Sequence, residues 1–112
     1  RVNYPGLPQH PQHALAGELF GGLGYGAMLS CELAGAARAD VFRFMQRLRM
    51  IQPATTLGDV YSLVLYPAMS SHRALGPDLR AALGIGENLV RMSVGIEDVD
   101  DIIADLRQAL QE

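Results

Sequence analysis

A guanidinium stands in the middle of a strand-like run near the end of this sequence. Arg91 lies within Asn88-Leu89-Val90-Arg91-Met92-Ser93-Val94-Gly95-Ile96-Glu97-Asp98. Alternation puts Val90, Met92 and Val94 on one face and Leu89, Arg91 and Ser93 on the other. The first set suits a core. A cation on the second face is either in water or holding an anion, and its planar fork fits a carboxylate through two parallel hydrogen bonds. Alone, a strand arginine is most often simply solvated. An anion site needs other polar groups to converge on it. Two polar islands could do so: Thr55-Thr56-Leu57-Gly58-Asp59 and Ser70-Ser71-His72. Each is an ordinary turn by itself.

Other reactive residue types carry less. Gly21-Gly22-Leu23-Gly24-Tyr25-Gly26 has the glycines of a phosphate loop but the wrong order, because a strand follows it and no helix opens after it. His10 and His13 are three apart and His72 is distant, with no clustered carboxylate or thiol, so no metal site is expected. Cys31 falls between Ser30 and Glu32 in an apolar strand and reads as a small buried hydrophobe. Asp98, Asp100 and Asp101 open a helix, where acids are favoured by the dipole.

Composition narrows the function classes. The chain has 112 residues, one domain by length, and 49% of them are hydrophobic, enough for a core. The net charge is −3 without a basic tract, which argues against nucleic acid as partner. No apolar run reaches the roughly 20 residues of a membrane span. A single cysteine excludes an internal disulfide and fits a reducing cytoplasm. All nine basic residues are Arg. Without lysine there is no ε-amine, and the chain alone cannot form a lysine Schiff base.

The elements that must position these residues follow from periodicity. Residues 1–12 carry Pro5-Gly6, Pro8 and Pro11 and read as a connector; Gln12 to Phe20 reads as a short helix. Tyr25 to Leu33 reads as a strand. Gly35 to Met50 reads as a helix, with Val41, Phe44, Met45 and Leu48 on one stripe and Pro53 closing the element. Ala54 to Leu57 and Tyr61 to Tyr66 are strand candidates. Pro77 to Leu83 is a short helix with Gly84 past its end, and Asn88 to Val94 is the strand of Arg91. In the last helix Val99, Ile102, Ile103, Leu106 and Leu110 form the stripe, with Glu97, Asp98, Asp100 and Asp101 in the first turns. The expectation is an α/β (α+β) domain: a small, mainly antiparallel sheet with helices on one face.

Several blocks, in order, resemble the C-terminal domain of the Cys/Met-metabolism family of pyridoxal-phosphate (PLP) enzymes, which includes cystathionine synthases and lyases, methionine γ-lyase and O-acetylhomoserine sulfhydrylase. The blocks are Tyr4-Pro5-Gly6-Leu7 with Pro11 and His13; Thr56-Leu57-Gly58-Asp59 with Ser62-Leu63; Pro67-Ala68 with Ser71-His72; Gly84-Ile85; and the closing run Leu89 to Asp98. The resemblance implies that Arg91 binds the substrate's α-carboxylate and that Thr56, where the family has Ser, helps to place it. Tyr61 stands where the family usually has Glu, a position tied to the distal part of the substrate. Gly58-Asp59 is closer to methionine γ-lyase and the sulfhydrylases than to the cystathionine enzymes.

Taken together, the expectation is the small C-terminal domain of a fold-type-I PLP enzyme, cut from a longer parent since no Met opens it. Residues 1–20 would connect from a missing large domain and residues 21–112 form the small domain. The parent would carry out γ-elimination or γ-replacement on a sulfur-containing or O-acylated amino acid, as a cytoplasmic homo-oligomer. PLP, its lysine and the catalytic groups would belong to the large domain; this chain would supply no catalytic, cofactor-binding or metal-binding residue. The alternative is a stand-alone, non-catalytic domain that binds an amino acid or a partner chain.

Overall fold

Leu89–Ser93 alternates as its sequence dictates, and it becomes the middle strand of a five-stranded sheet. The computed structural model describes residues 1–111. In chain order the elements are β1 (Val2–Asn3), α1 (His13–Phe20), β2 (Met28–Glu32), α2 (Arg38–Arg47), β3 (Gln52–Pro53), β4 (Leu63–Leu65), a 3-10 turn (Pro67–Met69), α3 (Pro77–Ala82), β5 (Leu89–Ser93) and α4 (Val99–Leu110). The sheet order is β1-β2-β5-β4-β3. All pairings are antiparallel except β3 with β4.

In register, Arg91 stands between Ser30 of β2 and Leu65 of β4, and Met92 between Leu29 and Val64. One face therefore carries Val90, Met92 and Val64, and α2 and α4 bury Val41, Phe44, Ile102 and Ala109 against it. The opposite face carries Arg91 and Ser93, and the irregular segment 54–61 runs over it. Segment and strand are joined by hydrogen bonds from Arg91 Nη2 to the Thr56 carbonyl (3.1 Å) and from Gly58 N–H to Ser93 Oγ (2.9 Å).

Three expectations change. The strand read at Ala54 to Leu57 is instead Gln52–Pro53, and Pro53 lies within it rather than closing α2, which ends at Arg47. The reason is local. Gln52 and Ala54 donate their N–H groups to Ser62 and Val64, while Pro53, which has none to give, faces the open edge. Residues 1–12, read as a connector, also supply the edge strand β1, paired with Ser30 and Cys31. The stripe of α4 is rotated: Ile102, Asp105 and Ala109 are buried, while Val99, Ile103 and Leu110 are exposed.

Asp105 explains that rotation. Its carboxylate accepts the backbone N–H groups of Arg49 (2.8 Å), Met50 (3.0 Å) and Ile51 (2.9 Å), so it caps the link between α2 and β3 inside the core. Burial alone would push its pKa up. The three N–H donors, with Gln108, outweigh that and hold the carboxyl below its ordinary value. At the start of β5, Glu87 plays a comparable part: Arg38 (2.9 Å) and the buried Arg80 (2.5 Å) converge on its carboxylate, and Tyr66 donates its hydroxyl to the Glu87 carbonyl (2.6 Å). Gly84, at a φ of +74°, closes α3 and lets Ile85 N–H return to the Arg80 carbonyl (2.8 Å).

Candidate functional site

Arg91 is held by β5 on the face away from the helices, and it is half-buried. Nη2 is engaged with the Thr56 carbonyl. Nε is shielded from solvent and has no acceptor among the described residues. A donor left in that state costs about 1–3 kcal/mol. An anion approaching the side of the guanidinium formed by Nε and a terminal nitrogen would satisfy it through a two-point, charge-assisted contact.

The structure brings Thr56 to Arg91, through its backbone carbonyl. Tyr61 belongs to the same segment, but its side chain is 60% exposed and makes no hydrogen bond among the described residues. The second polar island does not join the site by hydrogen bonding: Ser70 Oγ donates to the Tyr66 carbonyl (2.6 Å), and Ser71 Oγ and His72 Nδ1 bond each other (2.8 Å).

Residues outside the sequence-derived set hold the segment in place. Sequence position predicts a first-turn acid of α4 at Glu97. Instead Asp98 is the N-cap, accepting the N–H of Asp100 (2.8 Å). Glu97 turns back and accepts both the N–H of Ser62 (2.6 Å) and its hydroxyl (2.8 Å). The Ser62 N–H, foremost, holds the Glu97 carboxyl below its ordinary pKa. Gly95 N–H donates to Ser62 Oγ (2.9 Å) and Ile96 N–H to the Val60 carbonyl (3.0 Å). The signal for this lay in the sequence as an isolated glycine after a strand, which marks a close backbone approach.

The other candidates have ordinary occupations. His13 donates Nδ1–H to the Pro5 carbonyl (2.7 Å) and stacks on Tyr25 at 4.9 Å. Cys31 packs beside the core, and burial pushes its thiol up, away from a reactive thiolate. Among the described residues no helix is long and apolar enough to cross a membrane.

By fold and site this is a small α/β domain with a strand-borne guanidinium, one of whose N–H groups lacks an acceptor among the described residues, beside a short irregular segment. Residues 1–111 match the family described as Cys/Met metabolism PLP-dependent enzymes, and the chain belongs to that family. It is 44% identical to the O-succinylhomoserine sulfhydrylase of Mycobacterium tuberculosis, over 97% of this chain and 27% of that protein. It is also 44% identical to the L-methionine gamma-lyase of Pseudomonas putida, over 98% of this chain and 27% of that protein. Among solved structures, cystathionine gamma synthase from Xanthomonas oryzae pv. oryzae in complex with cystathionine superposes with a TM-score of 0.87 at 44% identity, covering 98% of this chain and 28% of that one. The chain thus spans about a quarter of the length of these relatives. They are PLP-dependent enzymes of sulfur amino-acid metabolism, as the resemblance implied.

Proposed function

We propose that this chain is the C-terminal, substrate-carboxylate-binding domain of a PLP-dependent enzyme of sulfur amino-acid metabolism. The parent enzyme carries out γ-elimination or γ-replacement on a sulfur-containing or O-acylated amino acid. The observation that carries this reading is the Arg91 Nε–H, shielded and without an acceptor, beside a terminal nitrogen already steadied by Thr56. A rigid fork of that kind fixes a carboxylate in orientation as well as position. Tyr61, nearby in the same segment, is exposed toward whatever covers this face, and we assign to it the distal part of the substrate.

PLP needs an ε-amine to hold it as a Schiff base, and this chain has no lysine. The residues present do not suffice to hold the cofactor, which is assigned to the remaining three quarters of the parent. That large domain is also the partner we assign to the apolar surface of Leu15, Leu19, Phe20 and Leu23, all exposed on and just after α1. Residues 1–20 then form the connection, which also lends β1 to the sheet, and 21–112 the rest of the small domain, within a homo-oligomer.

In the full-length enzyme, Arg91→Ala is expected to lower kcat/KM by roughly 30- to several-thousand-fold, the loss of about 2–5 kcal/mol for a buried charged contact. Bound PLP, read from its absorbance, stays unchanged. Arg91→Lys recovers only part of the loss, because an ammonium lacks the fork. A kcat/KM within a factor of about three of wild type for Arg91→Ala would remove the carboxylate role.

A further inference from the structure

Segment 54–61 has no secondary structure of its own, and most of its residues are exposed. Its position over Arg91 depends on what ties it down. The ties run in order along both partners: the Thr56 carbonyl to Arg91, Gly58 N–H to Ser93, the Val60 carbonyl to Ile96, and Ser62 to Gly95 and Glu97. Ser62, 0% exposed, is the end post. It donates twice to one carboxylate and accepts once from Gly95. The approach is so close that a Cβ on Gly95 would lie 2.3 Å from the Val60 carbonyl oxygen, 2.6 Å from Glu97 Oε2 and 2.6 Å from the Tyr61 carbonyl carbon. Gly95 has no positive φ, so the glycine is required by space, not by backbone conformation.

We propose that Glu97 is a positioning residue for the carboxylate site. It latches Ser62 against Gly95 and thereby fixes Thr56 and Tyr61 relative to Arg91. This rests on the reading of Arg91 given above. A carboxylate suits this chemistry best. Ser62 presents two donors, and two acceptor oxygens answer them. A glutamine oxygen can still take the Ser62 N–H, but its NH2 would then donate to Ser62 Oγ, which leaves the hydroxyl hydrogen without this acceptor and replaces a charge-assisted contact with a neutral one. Glu97 touches neither substrate nor cofactor; it acts through the segment that it holds.

The test compares two competitive inhibitors of the full-length holoenzyme: L-alanine, and ethylamine, which is alanine without its carboxylate. The ratio of their inhibition constants isolates carboxylate binding. Glu97→Gln and Ser62→Ala, both near-isosteric, should each raise the alanine constant by about tenfold and leave that of ethylamine within about twofold. Circular dichroism and bound PLP verify that both variants are folded. If both constants rise together, or neither rises, Glu97 is only a structural residue and the proposal is overturned. Arg91→Ala separates the two readings. If it erases the preference for alanine while the latch variants do not, the carboxylate role stands and the latch fails. If it leaves the preference intact, the carboxylate role fails and the latch falls with it.

Discussion

Two carboxylates in this domain do the same chemical work in different places. Asp105 and Glu97 both accept backbone N–H groups from a chain segment far from them in sequence. Asp105 does so inside the core, on the face of the sheet that carries α2 and α4, and it takes three consecutive N–H groups. Glu97 does so at the edge of the opposite face, half-buried, and takes the donors of one serine. The first holds a connection that the fold needs. The second holds a largely exposed segment without secondary structure, which we propose serves the anion site. On that proposal, similar hydrogen-bond chemistry has consequences for stability in one place and for function in the other, and the surroundings decide which.

The comparison breaks first at Asp105. Asp105→Ala leaves the N–H groups of Arg49, Met50 and Ile51, the last of them buried, without this acceptor, and about 2–4 kcal/mol of unfolding free energy should be lost. Denaturant unfolding measures it. The folded-state pKa of Asp105 is depressed, so its contribution is fully present above the unfolded value of about 3.9 and is lost as pH falls through the lower folded value. Asp105→Asn should flatten that acid limb of the stability curve. An Asp105→Ala protein as stable as wild type would mean that the buried cap is ornamental.

Next comes Gly95→Ala. The added methyl has no room against Val60, Tyr61 and Glu97, so the segment over Arg91 must move. In the full-length enzyme a fall of about ten- to a hundredfold in kcat/KM is expected, with KM rising. Unchanged kinetics would show that the close approach has no bearing on the site. The smallest effect is expected at Tyr61, whose side chain is 60% exposed and makes no hydrogen bond among the described residues. Tyr61→Glu should leave stability within about 0.5 kcal/mol and redistribute preference among substrates with different distal groups. Competition between a substrate with a distal amino group and one without reads the change.

Much of this was legible in the sequence where the signal is periodic. The alternation around Arg91 correctly divided β5 into a core face and a second face, and the stripe of Val41, Phe44, Met45 and Leu48 correctly faces inward from α2. The failures share a physical cause. Long-range hydrogen bonds leave no period in the sequence. Asp105 lies outside the apolar stripe predicted for α4, and its role emerges only when the N–H groups of residues 49–51 are placed around it. Glu97 reads as a dipole partner of α4 until Ser62 is placed beside it. The α4 stripe was misjudged because five apolar residues are enough for two faces, and only the carboxylate cap decides which of them turns inward. β3 was displaced because Pro53 argues against a strand in general but not on an edge with its nitrogen outward.

The central claim is that Arg91 is a carboxylate anchor, and a crystal structure of the full-length enzyme with an amino-acid substrate tests it most directly. The account predicts that the substrate's α-carboxylate accepts from Arg91 Nε and from a terminal nitrogen, each at about 2.7–3.2 Å, with the Thr56 carbonyl still bound to Nη2. A substrate whose carboxylate is held by other residues, with Arg91 Nε paired to a protein group or to water, would contradict it.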